Sequence, residues 1–175
     1  RRIAKAVNFG IVYGLSPFGL SRQLKISPRE AKAFIDSYFD LYQKVKAFMD
    51  NTVRIAREQG YTVTIQNRKR FLPDLNSKNK QIRSAAERIA INSPVQGSAA
   101  DLIKKAMIQV HRRMKEANCR SKMILQVHDE LLFECPLEEQ KKMEELVKKE
   151  MEEVQVLLVP LIVDIGWGKN WKEAH

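Results

Sequence analysis

Arg1-Arg2-Ile3-Ala4-Lys5-Ala6-Val7-Asn8-Phe9-Gly10-Ile11-Val12-Tyr13-Gly14 opens the chain, and the reading of this stretch decides the rest. Arg1, Lys5, Phe9 and Tyr13 stand four apart, so on a helix they drift only slowly around one face. Two cations followed by two aromatics suit a nucleotide, with phosphates at one end and a base at the other. Arg forks onto phosphate oxygens and Lys supplies a point charge. An aromatic face such as that of Phe9 stacks on a base, worth about 1–3 kcal/mol in comparable sites. The same spacing also describes an ordinary amphipathic helix with a basic face and an aromatic anchor. A cationic first turn opposes the helix dipole unless the helix begins upstream or an anion is bound.

Working outward, the helical spacing of residues 1–14 ends where Gly14 and Ser16-Pro17 break it. Ser27-Pro28-Arg29-Glu30 is a helix start, with Ser as N-cap, Pro at the first helical position and Glu three residues after the cap. From there Phe34, Tyr38, Leu41, Val45, Phe48 and Thr52 form one apolar stripe, which predicts a helix running to a C-terminal cap at Gly60. Residues 61–65 alternate as a strand, and Gln66-Asn67 forms a tight turn before Arg68-Lys69-Arg70-Phe71-Leu72. A long helix is predicted from about Asn79 to Ala117, with Ala86, Ile89, Leu102, Ile103, Ala106, Met107, Val110 and Met114 inward and a kink or break at Pro94. Met123–Val127 and Leu131–Cys135 read as two short strands, residues 137–155 as a charged amphipathic helix, and Pro160–Ile165 as a last strand.

Two further constellations carry chemistry. Asp129 and Glu130 lie between apolar strands, so they stand at a hairpin tip or carry a cation, because an uncompensated buried charge is costly. Mg2+, a hard ion with oxygen ligands, suits such carboxylates when phosphates are present. A solvated turn is the alternative. On the long helix Arg83, Glu87, Arg88, Asn92 and Gln96 fall on neighbouring faces. Arg, Asn and Gln suit the edges of base pairs in a groove, and a polar stripe facing solvent is the alternative.

The 175 residues are 44% hydrophobic and 30% charged, a globular composition. The formal net charge of +10 suggests a polyanionic partner, nucleic acid first. Cys119 and Cys135 match no metal or redox spacing and read as reduced thiols, in keeping with a cytoplasmic, nucleoid-associated protein. The longest apolar run, Val156 to Val163, is too short to span a bilayer, so no membrane partner is expected.

Five segments together resemble DNA polymerase family A, the bacterial polymerase I type. RRIAKAVNFGIVYG matches that family's fingers-helix pattern RRxxKxxNFGxxYG at every fixed position. AAERIAINSPVQGSAADLIKKAM is similar to its AAERxAxNxPxQGxAAD segment, and MILQVHDELLFE contains its QVHDE motif. Arg68-Lys69-Arg70 resembles a GRRRxxPD turn with Asn67 where Gly is usual, and WGKNWKEAH resembles the family's C-terminus.

The resemblance implies template-directed transfer of deoxynucleotides from dNTPs to a primer 3′-hydroxyl, on primer-template DNA. It assigns Arg1 and Lys5 to the triphosphate, Phe9 to the incoming sugar and base, and Tyr13 to the template side of the pocket. Arg2 falls nearer the template or phosphate backbone. Arg83 lies along the duplex, and Arg88, Asn92 and Gln96 in its minor groove. His128 contacts the primer terminus, Asp129 is a bridging metal ligand and Glu130 an auxiliary one. Two Mg2+ ions, or Mn2+ in their place, serve the complete enzyme. Phe rather than Tyr at position 9 is associated with discrimination against dideoxynucleotides.

The family's other catalytic aspartate lies on a DYSQIE-type strand that nothing in this chain matches. The expectation is therefore a part of a polymerase, inactive alone, whose partner is the N-terminal remainder of the enzyme. The expected fold is α+β, an incomplete polymerase fold. Residues 1–84 form a helical fingers subdomain and residues 85–175 part of an antiparallel-sheet palm. A metal phosphohydrolase built on His128-Asp129 would need more histidines than His111 and His175. A non-catalytic nucleic-acid-binding module is the other reading.

Overall fold

Capping chemistry sets most of the observed boundaries. The computed structural model describes residues 2–174, with side chains from residue 7 onward. Helix α1 (Arg2–Val12) stops before Gly14, which takes the left-handed conformation at φ 75°. Ser16 then caps α2 (Pro17–Leu24), its hydroxyl accepting from the Gly19 N–H at 3.1 Å. The helical pattern gave no separate signal for this second helix beyond the Ser-Pro pair.

Helix α3 (Pro28–Leu41) begins with the capping box the sequence spells out. Ser27 Oγ accepts from the Glu30 N–H at 3.2 Å, and the Ser27 N–H donates to Glu30 Oε2 at 2.9 Å. The expected single helix to Gly60 is two: α3 ends at Leu41 and α4 (Gln43–Gln59) follows, with Tyr42 outside helical geometry at φ −109°, ψ 56°. Gly60 caps α4 at φ 81°, as expected. The apolar stripe is not a buried seam. Phe34, Leu41 and Phe48 are exposed, and the buried positions of these helices are Ala31 and Ala56.

Strands β1 (Tyr61–Val63) and β2 (Lys69–Phe71) pair antiparallel, Tyr61 opposite Phe71 and Val63 opposite Lys69. Asn67 holds φ 60° in their turn, a conformation Asn tolerates better than most residues. A 3-10 turn (Pro73–Asn76) leads to α5 (Lys80–Glu116). Pro94 does not break this helix, which is continuous through it. Beside the proline, Ser93 Oγ donates to the Ile89 carbonyl at 2.6 Å.

The chain divides into two compact units, residues 1–97 and 98–175, with the division inside α5. The core of the first unit joins Ala56, Leu72, Leu75, Ala86 and Ala90, with Val53 against them. Ile89, expected inward, is exposed, one position off this buried face.

The second unit contains β3 (Lys122–Val127), β4 (Glu130–Glu134) and α6 (Gln140–Glu152). Val110 and Met114 of α5 and Met143 and Val147 of α6 form its core, against which Met123, Phe133, Cys119 and Cys135 pack. β3 and β4 pair antiparallel with an irregularity between Met123 and Leu125. The expected helix at 137–155 is shorter, preceded by a 3-10 turn at Leu137–Glu139. Pro160–Ile165 is not a strand; Val163 N–H instead donates to Glu152 Oε1 at 2.9 Å. A short helix, α7 (Trp171–Ala174), follows. Helices with two small antiparallel sheets make the α+β class expected.

Candidate nucleotide and nucleic-acid site

The first unit carries the exposed aromatic pair and the polar residues of α5. Phe9 of α1 and Tyr13, four residues on and just past the helix end, stack with centroids 6.1 Å apart and planes 16° from parallel, and both rings remain exposed. An exposed, stacked pair of this kind offers a flat face to a base. Arg1 lies outside the described residues, and the side chains of Arg2 and Lys5 lie outside the described side chains.

At the C-terminal end of α1, Gly14 touches the long helix. A Cβ placed on Gly14 would stand 3.0 Å from Arg88 Cγ. The glycine thus admits both the left-handed turn and the Arg88 stem. No spacing in the sequence signalled this contact; only the Gly itself did. Arg88 and Gln96 are exposed and Asn92 half-buried, one turn apart along α5. Arg83 is separate from them: its Nη1 donates to the Ser77 carbonyl at 2.9 Å, tying the turn before α5 to the helix. Glu87 forms an ion pair with Arg57 of α4, so it braces the helix rather than facing a ligand.

A second close approach lies one residue beyond Gln96. A Cβ on Gly97 would meet Thr64 Cγ2 at 2.7 Å, and Arg68 Nη2 donates to the Gly97 carbonyl at 3.1 Å. The β1–β2 hairpin therefore docks on α5 through a glycine, beside the polar face.

The second unit carries the carboxylates. His128 and Asp129 form the two-residue turn between β3 and β4, with His128 at φ 54° and its carbonyl accepting from Gln126 Nε2 at 2.6 Å. Val127 pairs with Glu130 to close the hairpin. His128, Asp129 and Glu130 are all exposed. The carboxylates stand at a tip, so their charge needs no buried partner. Among the described residues no three His, Cys, Asp or Glu side chains converge to hold a metal. The donor set is nevertheless of the right kind for Mg2+, which commonly takes one or two carboxylates alongside phosphate oxygens and water.

The hairpin's base is fixed by a residue with no motif to announce it. Glu139 accepts from the backbone N–H groups of Arg120 and Ser121 at 2.8 and 2.9 Å and from Ser121 Oγ at 2.6 Å. These donors, the Arg120 N–H first, pull its carboxyl down to about 2.

The chain belongs to DNA polymerase family A, whose pattern matches residues 1–173. It is 56% identical to DNA polymerase I of Caldicellulosiruptor bescii and 52% identical to that of Bacillus subtilis, in each case over 99% of this chain and 20% of the relative. A solved structure of the POL domain of Pol1 from M. smegmatis, in complex with DNA primer-template and dNTP, matches with a TM-score of 0.96 at 50% identity. That match covers 99% of this chain and 30% of the other. The chain thus spans about a fifth of the length of the curated relatives it matches.

Proposed function

We propose that this chain supplies fingers and palm elements of an enzyme that transfers deoxynucleotides from dNTPs to a primer 3′-hydroxyl under the direction of a template, releasing pyrophosphate. The observation that carries the reading is the contact of Gly14 with Arg88. It seats the aromatic end of α1 against the helix that bears Arg88, Asn92 and Gln96. A base stacked on Phe9 and Tyr13 and a base pair touched by Arg88 then lie along one path.

In this reading the first unit is fingers together with the start of the long helix, and the second is palm. Arg1 and Lys5 neutralise the triphosphate and Arg2 faces the template or backbone. Phe9 orients the incoming sugar and base, and Tyr13 closes the template side. Arg88, Asn92 and Gln96 test pairing shape from the minor groove, Arg83 supports the duplex near Ser77, and His128 meets the primer terminus. No side chain acts as nucleophile; the protein's contribution is position and charge. Asp129 and Glu130 would hold divalent metal, Mg2+ or Mn2+. Two such ions, when bound, neutralise the attacking and leaving oxygens of an in-line displacement. A second carboxylate strand, from the N-terminal part of the polymerase, completes that set. Such an enzyme works on chromosomal DNA in the cytoplasm; no described helix is long and apolar enough to cross a membrane.

Primer extension with Mg2+ and dNTPs tests this reading. The 175-residue chain alone should give no product. Extension should appear when a polypeptide supplying the upstream family A strand is added, and vanish again with Asp129→Asn. Extension by the chain alone overturns the need for a second carboxylate. Extension unaffected by Asp129→Asn overturns the metal assignment.

A further inference from the structure

The β1–β2 hairpin has two faces of opposite character. Thr62 and Thr64 are buried, and Thr64 is the residue that meets Gly97, so this face is turned to the long helix. The register places Tyr61, Val63, Lys69 and Phe71 together on the other face. That face is open: Phe71 is 71% exposed and Val63 38%. Its side chains are nonetheless ordered by one another. Tyr61 and Phe71 meet edge-on with centroids 5.7 Å apart, and Lys69 Nζ sits 4.4 Å above the Tyr61 ring.

Phe71, Val63 and the Tyr61 ring share this face as one apolar patch beside cations, and an exposed apolar patch rimmed by polar residues marks an interaction site. Charge says what kind of partner that is. From Tyr61 to Leu72 there is no acidic residue, while Arg68, Lys69 and Arg70 follow one another. Arg68 is bonded to the Gly97 carbonyl, which places the cationic turn next to Gln96 on α5. Exposed aromatic, adjacent cations and no acid form the combination that binds unpaired nucleic acid, with bases on the ring and phosphates on the cations. Continuity with the Gln96 face sets the path.

We propose that the Tyr61–Lys69–Phe71 face is a stacking platform for the single-stranded extension of the template, gripping it outside the paired region. The proposal rests on the polymerase reading above. Phe71 would stack on an unpaired base and Lys69 would contact the backbone beside it. Duplex DNA, whose bases are stacked on one another, has no free base face to offer this platform.

The test compares binding of the 175-residue chain to a blunt primer-template duplex with binding to the same duplex carrying a 5′ template extension that contains 2-aminopurine. The unsubstituted chain should prefer the tailed duplex and quench the 2-aminopurine. Phe71→Ala and Phe71→Leu should each lower tailed-duplex affinity about five- to tenfold and leave blunt-duplex affinity unchanged. Lys69→Gln should lower the slope of log affinity against log salt by about 0.7, the single-strand value for one phosphate contact. Phe71→Leu keeps the apolar bulk, so its loss reports the ring rather than folding, and circular dichroism confirms that each variant is folded. Equal binding of tailed and blunt duplex, or variants that keep the tail preference, overturns the platform while the polymerase reading stands. Failure to bind either duplex overturns both. If Phe71→Leu weakens association with the upstream polypeptide and not with the tail, the face is a protein interface and the proposal is wrong.

Discussion

At Gly14 one missing Cβ does two jobs. The backbone stands at φ 75°, where a side chain costs about 1–2 kcal/mol, and a methyl group would press on Arg88 Cγ at 3.0 Å. The Arg88 stem is flexible, so it would shift rather than resist. Gly14→Ala should therefore lower stability by about 1–2 kcal/mol in urea titration and also weaken primer-template binding, because Arg88 is displaced. A variant with native stability and native duplex affinity would show that the contact is incidental. Phe9 offers a second residue-scale test in the complemented enzyme. Its ring is exposed and stacks on Tyr13. Phe9→Tyr adds a hydroxyl without removing the stacking face, and dideoxynucleotide incorporation should rise relative to deoxynucleotide incorporation. An unchanged ratio would remove Phe9 from the sugar-selecting role.

Elements were legible where a local rule decided them. The Ser27–Glu30 box, the Gly60 cap and the Asn67 turn are each set by a few adjacent residues, and each stands as the sequence implies. Misreadings arose where periodicity was asked to stand for packing. Tyr42 separates α3 from α4 although the apolar stripe runs through it. At Pro94, of the kink or break expected, the break does not occur. The motif residues could be named from sequence, Gly14 among them as the end of the first helix, but the contacts of Gly14, Gly97 and Glu139 could not, because they are made with neighbours far along the chain. Glu139 carries an element-scale prediction. Its folded-state carboxyl is held at about 2 against the ordinary 4.5, mainly by the Arg120 N–H and Ser121 hydroxyl. A lowered folded value contributes stability that is present above the ordinary value and lost as pH falls through about 2. Melting temperature measured from neutral pH downward should therefore fall more steeply below about 4.5 for the parent than for Glu139→Gln. Parallel pH profiles would show that the Glu139 bonds do not bear on folding.

Across the whole molecule, each unit leaves apolar surface without a described partner. In the first, Phe34, Leu41 and Phe48 are exposed on adjoining helices. In the second, Val156, Leu158 and Ile162 are exposed, the last of them where the strand 160–165 was expected, and among the described residues the sheet of this unit pairs β3 with β4. A two-stranded sheet offers two open edges, and open edges beside apolar side chains pair with whatever strand is available. The net charge of +10 opposes association through repulsion, but salt screens that repulsion within about 8 Å at physiological ionic strength. Apolar contact should therefore win as salt rises. Sedimentation velocity across a hundredfold range of concentration should show reversible self-association of the isolated chain, stronger at high salt. Leu158→Lys together with Ile162→Lys should suppress it if the second unit supplies the contact, and Phe34→Lys with Phe48→Lys if the first does. Addition of the upstream polypeptide should compete with it where the two use the same surface. A monomer at every concentration and salt level would mean that these side chains are covered within the chain itself.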